Sequence, residues 1–292
     1  MLLAIDVGNT HTVLGLFDGQ ELCRHWRILT EQARTADEYS VVLWNLLRMA
    51  EISPSEIGGA IVSNVVPQMQ SVVDEMCRHT FGRSPLVVGP GTRTGMAILY
   101  DNPREVGADR IVNAVAAYER THDLSIVVDF GTATTFDVVS AKGEYLGGVI
   151  APGVGISLDA LYSRTAKLHP VELVKPPRVV GRNTVNAIQA GVFYGYVAMV
   201  DGVVERIQTE QGAPAKVIAT GGFASLIAAE SRTIAEVDEF LTLAGLRLIF
   251  ERNRDAAEGR ERAAGVEPRP SAVRAEATSA TAPRAALSSE RR

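Results

Sequence analysis

The chain repeats a short segment of itself, and this repeat limits the folds open to it more than any other feature does. The segment Ala4–Val13 reappears as Val127–Phe136, and the two copies continue to turns at Asp18-Gly19 and Lys142-Gly143. Each copy has an apolar strand that ends in Asp-x-Gly, a small group of hydroxyl or amide residues, a second strand and a turn. We therefore expect two halves that are copies of one unit led by a β-hairpin.

The residues of the repeated hairpin predict a site for phosphate. Asp6 and Asp129 each end an apolar strand, where a buried carboxylate is costly unless it meets a cation or hydrogen-bond donors. Gly8 and Gly131 let the backbone turn tightly and approach a ligand closely. Side-chain donors then stand beside exposed backbone N–H groups, which suits phosphate. These donors are Asn9, Thr10, Thr132, Thr134 and Thr135.

A single Asp-x-Gly turn has a simpler interpretation, because Asx-type hairpin turns without a ligand are common in β proteins. The occurrence of the turn in both halves, each time after an apolar strand, favours function. Two facing phosphate hairpins imply a nucleotide held between two domains.

The chain up to about Arg254 alternates apolar runs typical of strands with stretches of helical periodicity. Strands are predicted at Leu2–Asp6, Thr12–Phe17, Glu21–Arg27, Gly59–Ser63, Leu86–Val88, Ser125–Asp129, Thr134–Ser140, Glu144–Ile150 and Ala215–Thr220. Helices are predicted at Ala36–Ala50, Val66–Phe81, Ala108–His122, Ile156–Ala166, Asn183–Gln208, Ala224–Ala229 and Glu239–Arg252. This alternation predicts an α/β protein.

The composition changes near Arg254. From Asp255 to Arg292 the chain is mostly Ala, Arg, Glu, Ser and Pro, and it has no aromatic residue. Such a segment buries too little surface to offset its ordering entropy, so we predict a disordered tail. Its composition allows a few helical turns around Ala256–Gly265.

Charge and cysteine content exclude several classes of function. With 29 basic and 34 acidic residues the formal charge is -5, so binding to nucleic acid or anionic lipid by bulk charge is not expected. Cys23 and Cys77 are too few for a disulfide framework, which fits a reducing compartment. The N-terminus has no cationic leader, and the most apolar stretch, Gly191–Val204, is interrupted by Asp201 and too short to span a bilayer. We expect a soluble cytoplasmic protein.

In this order and spacing, the motifs resemble those of the actin, Hsp70 and sugar-kinase superfamily, and within it the type III pantothenate kinases. Asp6–Thr10 resembles the first phosphate motif, Asp129–Thr135 the second and Ala219–Gly222 the adenosine motif. Gly107-Ala108-Asp109-Arg110 narrows the likeness to the family, and Val62–Pro67, Gly147–Gly153, Gly181–Thr184 and Leu241–Leu246 extend it.

The resemblance implies an α/β fold with two duplicated ribonuclease-H-like domains around an ATP cleft. We expect an N-terminal domain at 1–118, a C-terminal domain at 119–254 whose last helix can pack back on the first, and a disordered tail at 255–292. The implied activity is ATP-dependent phosphorylation of the 4'-hydroxyl of pantothenate, the first step of coenzyme A biosynthesis.

The resemblance also assigns the acceptor site. Asp109 becomes the proton acceptor, although its position alone favours a helix cap or a first-turn acid. Arg110 suits the carboxylate of pantothenate, with a surface ion pair as the alternative. Tyr100 and Thr184 match substrate-contacting positions and would otherwise be a packed aromatic and a capping hydroxyl. The full expected set is Tyr100, Gly107, Ala108, Asp109, Arg110 and Thr184.

Nucleotide and cation contacts follow from the same resemblance. Asp6 would orient the metal and the phosphates, and Asp129 would bind a monovalent cation, potassium or ammonium. Magnesium would arrive with ATP. Gly221-Gly222 alone would be a plain strand-to-helix turn. The expected ATP contacts are Asp6, Val7, Gly8, Asn9, Thr10, His11, Thr12, Val13, Gly131, Thr132, Gly221 and Gly222.

The family further implies a homodimer, with ATP and pantothenate as ligands and no nucleic-acid or membrane partner. Two alternatives stay open: another small-molecule kinase of the superfamily, and a non-catalytic transcriptional accessory factor. The second has little support, because Asp6, Asp109 and Asp129 are all present and the sequence has no helix-turn-helix signal or basic stripe.

Overall fold

Each copy of the repeat forms the centre of a β-sheet in the computed structural model, which describes residues 1–165 and 167–263, with side chains up to 256. The first sheet contains β1 (Leu2–Val7), β2 (His11–Asp18), β3 (Glu21–Leu29), β4 (Gly59–Asn64) and β5 (Leu86–Val87). The second contains β6 (Ala97–Ile98), β7 (Ser125–Phe130), β8 (Ala133–Val139), β9 (Glu144–Pro152), β10 (Lys216–Gly221) and β11 (Glu236–Val237).

The two sheets share one strand order and one pattern of strand directions. The first sheet has the order β3-β2-β1-β4-β5, and the second repeats it as β9-β8-β7-β10-β11, with β6 added beside β9. In both sheets a three-stranded antiparallel meander is joined by two strands parallel to its first strand. The predicted duplication and the α/β fold class are confirmed.

Five of the ten connections between successive strands of the described chain contain an α-helix. The helices are α1 (Ala36–Met49), α2 (Met69–Phe81), α3 (Ala108–Thr121), α4 (Val154–Ser163), α5 (Thr184–Gln211), α6 (Ala224–Ala228) and α7 (Leu241–Ala263). All the predicted strands and helices are present, and most of their bounds agree within a few residues. The short strands β6 and β11 were not predicted, because two-residue edge pairings leave no periodic signal in a sequence.

Helices cover both faces of the first sheet, as the alternation of its side chains requires. On one face, Leu43 of α1 and Val73 of α2 pack in a core with Leu3 of β1. On the other face, Leu246 of α7 packs with Ala4 of the same strand. The last helix of the chain thus contributes to the core of the first sheet.

The long helix α5 fills the core of the second sheet. Among the described residues it is the one helix that is long and apolar enough to cross a membrane, by length and composition. Its buried apolar side chains lie against β7 and β10 in the second core. They are Ile188, Phe193, Val197, Val200 and Val204. The helix is therefore a core element in this fold.

Residues Met1–Arg254 form one compact unit that contains both sheets, and a second unit begins at Asp255. The division of the first unit at residue 118 stays a prediction. Beyond Arg254 the backbone of α7 continues to Ala263, within the stretch whose composition allowed helical turns. The rest of the predicted disordered tail, residues 264–292, lies outside the described residues.

Candidate active site

The turns of the two repeated hairpins meet. In the first turn, the backbone N–H of Gly8 donates to the carbonyl oxygen of His11 over 3.0 Å, which closes the loop between β1 and β2. The hydroxyl oxygens of Thr10 and Thr132 lie 2.9 Å apart and are joined by a hydrogen bond. Two turns separated by more than a hundred residues therefore face one space.

That space is a cleft of about 430 Å³, a volume typical of small-molecule sites. Most of the nucleotide residues predicted from the sequence line it, together with the expected base and the expected cation ligand. They are Asp6, Gly8, Asn9, Thr10, His11, Val13, Asp109, Asp129, Gly131, Thr132, Gly221 and Gly222. Val7 and Thr12 are buried and paired with each other in the sheet, so they shape the first turn.

Five carboxylates line the cleft. Asp159 and Glu239 are exposed, whereas burial makes the charge of the other three, Asp6, Asp109 and Asp129, unfavourable. The pKa of Asp6 is raised to about 8, mainly by burial and then by repulsion from Asp109 and Asp129. The pKa of Asp129 is raised to about 7, again mainly by burial and then by Asp109 and Asp137. One side-chain oxygen of Asp6, Oδ1, is buried without a hydrogen-bond partner. The cleft is therefore short of positive charge.

Asp129 is held in place by a short chain of hydrogen bonds. Its Oδ2 accepts a hydrogen bond of 3.1 Å from the amide nitrogen of Asn113 on α3. The Oδ1 of Asn113 in turn accepts a hydrogen bond of 2.7 Å from the hydroxyl of Thr242 on α7. Gly221 has a left-handed φ of 91°, and a Cβ there would lie 2.7 Å from Oδ1 of Asp129. This position therefore requires glycine on both counts.

Asp109 lies in the first turn of α3, whose N-cap is Gly107. Its Oδ1 accepts the backbone N–H of Arg110 over 2.8 Å. Burial raises its pKa, and the Arg110 N–H opposes that rise. The first-turn acid and the proton acceptor are therefore compatible interpretations, because the same carboxylate lies in the first turn of α3 and lines the cleft.

Arg110 is buried, so the alternative of a surface ion pair does not hold. Its Nε donates to Oδ1 of Asp137 over 2.6 Å, and the hydroxyl of Tyr145 donates to the same oxygen over 2.8 Å. The guanidinium carbon lies 5.9 Å from the centre of the Tyr145 ring. The ring of Tyr100 is tilted against that of Tyr145 at 6.4 Å between centroids. Two of the predicted substrate residues, Tyr100 and Arg110, are therefore brought together around Tyr145.

Thr184 lies elsewhere. It begins α5 and lines a separate cavity of about 640 Å³, with Leu161 and Ile188 among its walls. The capping side chain of this helix is Asn183, whose Oδ1 accepts the N–H of Asn186 over 2.8 Å. Within one chain, Thr184 does not join the residues of the cleft.

Four charged residues of the site were missed by sequence reasoning: Arg27, Asp159 and Glu239 line the cleft, and Asp137 lies behind Arg110. Arg27 of β3 lines the cleft and lowers the pKa of Asp6 and of Asp129, against the dominant effect of burial. The one sequence feature that pointed to Arg27 was its position on the third strand of the repeated unit. Asp137 had a better signal, because a carboxylate within the apolar run Phe136–Val139 needs a buried cation.

Comparison with known proteins identifies the family of the chain. The sequence model of the family described as Type III pantothenate kinase matches residues 2–206. The type III pantothenate kinase of Anaeromyxobacter sp. (strain K) is 59% identical over 254 residues, which cover 87% of this chain and 100% of that protein. That of Myxococcus xanthus (strain DK1622) is 59% identical over 253 residues, covering 87% of this chain and 99% of the relative.

A solved structure shares the fold. It is a protein from Campylobacter jejuni assigned to the Baf family of transcriptional activators, with a TM-score of 0.54 and 18% identity over 87% of this chain and 99% of that one. At this identity the likeness concerns the fold alone. The match of the family over most of the compact unit, together with the two close relatives, shows that the chain belongs to the type III pantothenate kinase family.

Proposed function

We propose that the protein transfers the γ-phosphate of ATP to the 4'-hydroxyl of pantothenate, the first step of coenzyme A biosynthesis. The observation that carries the proposal is the cleft itself. Two phosphate-type turns meet there through Thr10 and Thr132, and Asp109 lines the same space. Membership of the type III pantothenate kinase family supports pantothenate as the acceptor.

In this mechanism the phosphates of ATP lie between the turns Gly8–His11 and Gly131–Ala133, whose backbone N–H groups and hydroxyls donate to phosphate oxygens. The adenosine lies against Gly221-Gly222. Asp109 accepts the proton of the acceptor hydroxyl. The oxygen of that hydroxyl forms a bond to the γ-phosphorus while the bond between this phosphorus and the β–γ bridging oxygen breaks, and ADP leaves. A base with a raised pKa is suited to this transfer near neutral pH.

Charge balance gives Arg27 a role. It is the one arginine among the described residues that line the cleft, and no lysine lines it with them. The nucleotide adds negative charge to a space that already holds Asp6, Asp109 and Asp129. We therefore assign Arg27 to the phosphates, whose remaining charge is neutralised by the magnesium that ATP carries.

The residues also fit a monovalent cation, potassium or ammonium, at Asp129. Burial raises the pKa of this carboxyl to about 7, so a nearby cation would favour its ionised form. In the part of the chain that the structure describes, no three His, Cys, Asp or Glu side chains are grouped to hold a metal. The donors near Asp129 are oxygens, which suit hard cations.

We further propose a homodimer. Thr184, a substrate position of the family, lies away from the cleft of its own chain. Close to it in sequence, Val179, Val180 and Val185 are exposed by 65%, 79% and 46%. A second copy packed there would cover this apolar surface. Light scattering at micromolar concentration should give twice the mass of the chain, and a monomer mass would contradict the dimer.

Another small-molecule kinase of the superfamily is the nearer alternative function, and a transcriptional accessory factor is the more distant one. The cleft favours an enzyme, because Asp6, Asp109 and Asp129 all face it. We place the protein in the cytoplasm, where ATP is available. The apolar side chains of α5 are buried in the core of the second sheet, so this helix does not need a membrane.

The test is a panel of hydroxyl acceptors with MgATP: pantothenate, glucose, N-acetylglucosamine and glycerol. Formation of ADP is followed in potassium, ammonium and sodium buffers, and the product is identified by mass spectrometry. We expect pantothenate to exceed the other acceptors at least about 100-fold in kcat/KM. We also expect little activity in sodium alone. A better sugar acceptor would overturn the assigned substrate, and equal rates in sodium and potassium would overturn the cation site.

A further inference from the structure

A buried carboxylate that the proposed reaction does not use lies next to the acceptor residues. Asp137 of β8 is fully buried. Its Oδ1 accepts hydrogen bonds from Nε of Arg110 at 2.6 Å and from the hydroxyl of Tyr145 at 2.8 Å. Its Oδ2 accepts one from the hydroxyl of Thr135 at 3.3 Å, and Thr135 lines the nucleotide cleft. Both oxygens of Asp137 are thus engaged.

The guanidinium of Arg110 is engaged on one side only. Carboxylates often take two parallel hydrogen bonds from a guanidinium, but here the second oxygen of Asp137 is bound to Thr135. No hydrogen bond joins either terminal nitrogen of Arg110 to another described residue, and Nη2 is completely buried without a partner. These donors are therefore left for an acceptor that is not part of the protein.

The surroundings fix the plane of the guanidinium. Tyr145 lies beside it, with 5.9 Å from the guanidinium carbon to the ring centre. On another side runs the backbone of Gly148, where a Cβ would lie 2.6 Å from Nη2. A Cβ at the neighbouring Gly147 would lie 3.7 Å from the ring of Tyr100. The arginine thus lies beside the ring of Tyr145 and the backbone of Gly148, and Tyr100 packs against Tyr145.

We propose that Asp137 and Tyr145 are positioning residues that orient Arg110 toward the carboxylate of the acceptor, and so set the preference of the enzyme for an acidic acceptor. The inference rests on the proposed function, because it takes pantothenate as the acceptor. Asp137 holds Nε and Tyr145 shares the same oxygen, which leaves the terminal nitrogens of Arg110 without a hydrogen-bond partner among the described residues and able to bind a carboxylate. A purely structural ion pair would have no effect on the choice of acceptor.

The experiment compares pantothenate with panthenol, in which a primary alcohol replaces the carboxylate, in the full-length protein. Asp137→Asn keeps the shape of the side chain but removes its charge. Tyr145→Phe removes one hydroxyl. Each variant should raise the KM for pantothenate about ten-fold, with a smaller change in kcat and in the KM for ATP. The ratio of kcat/KM for pantothenate to that for panthenol should fall by a similar factor.

Asp201→Asn is the matched control. Asp201 is also a buried carboxylate that pairs with an arginine, Arg232, but it holds the loop at Ser231 and Thr233 rather than the acceptor residues. This variant should lower the melting temperature and leave the acceptor ratio unchanged. In an Arg110→Lys background, which already lacks the guanidinium, Asp137→Asn should reduce the ratio no further.

The outcomes separate the two proposals. If the wild-type protein does not phosphorylate pantothenate, the proposed function fails before any variant is made. If the wild type prefers pantothenate and Asp137→Asn lowers only stability, with the acceptor ratio of the wild type, then Asp137 is structural and the inference is wrong. If Asp137→Asn does not fold, Tyr145→Phe decides alone by the same ratio.

Discussion

Asp6, Asp109 and Asp129 lie around one cleft, and Arg27 is the arginine among the described residues that line it. Burial raises the pKa of all three carboxyls, to about 8 for Asp6 and about 7 for Asp129. Near neutral pH the protein without ligands therefore holds protons on Asp6 and Asp129 that a nucleotide with its cations would displace. Binding and protonation are therefore linked at the level of single side chains.

Asp109→Asn should lower kcat by about 10² to 10⁴, because a positioned general base contributes that much to proton transfer. The KM values should change little, since asparagine keeps the shape of the side chain. Steady-state kinetics with pantothenate measure the effect, and circular dichroism checks the fold. A near-native kcat would show that Asp109 is not the base.

The stability of the ligand-free protein should fall as the pH rises between about 5 and 8. The folded state has pKa values of about 8 for Asp6 and about 7 for Asp129, whereas the ordinary value is 3.8. The folded state therefore binds more protons than the unfolded state within this window, and ionisation destabilises it. Urea unfolding at several pH values measures the slope.

Asp6→Asn should make that slope smaller, because asparagine does not ionise. Asp201→Asn is the control, since the pKa of Asp201 is lowered by its hydrogen bonds to Ser231, Arg232 and Thr233 even though burial opposes this. The contribution of Asp201 to stability is therefore lost only as the pH falls below the ordinary carboxyl pKa of 3.8, outside the window of the experiment. A slope that is unchanged in Asp6→Asn would contradict the raised pKa.

Among the elements, the hairpins were the most predictable part of the molecule, because period-two alternation and Asp-x-Gly turns are local in sequence. The meeting of Thr10 with Thr132 was expected only from the repeat. The pairing of Arg110 with Asp137 could not be predicted, because it depends on how α3 packs across β8. The same reason applies to Thr184. The helix that it begins was predicted correctly, but Thr184 does not line the cleft.

Gly221→Ala should destabilise the end of β10 and weaken ATP binding. Its φ of 91° disfavours a side chain, and a Cβ would lie 2.7 Å from Oδ1 of Asp129 and from the backbone of Phe130. We expect a loss of about 1–3 kcal/mol in unfolding free energy and a raised KM for ATP. Urea unfolding and steady-state kinetics measure the two effects.

Gly212→Ala provides the matched control. Gly212 ends α5 with a φ of 69°, but no atom lies within 4 Å of its Cβ position. It should lose stability through backbone strain alone and leave the KM for ATP unchanged. Equal KM values for both variants and the wild type would mean that crowding against Asp129 does not affect the nucleotide site.

At the scale of the whole molecule, the cleft is assembled from residues between Asp6 and Leu243. The Anaeromyxobacter relative is matched over its full length by 254 residues of this chain. A chain that ends at Arg254 should therefore keep the kcat and KM values of the full chain. A second variant that ends at Ala263 keeps all of α7. An inactive variant ending at Arg254 would contradict the prediction: if the longer variant is active, the final turns of α7 are needed, and if neither is active, residues beyond Ala263 are needed as well.

One strand and one helix cross between the halves of the duplicated architecture. Strand β6 precedes α3 in the chain but extends the second sheet, while α7 follows the second sheet and packs on the first. A fragment cut between the two copies of the repeat would lack an element that its own sheet uses. We therefore expect the two halves to unfold in a single cooperative transition, and separately expressed halves to reach their native structure only after they associate.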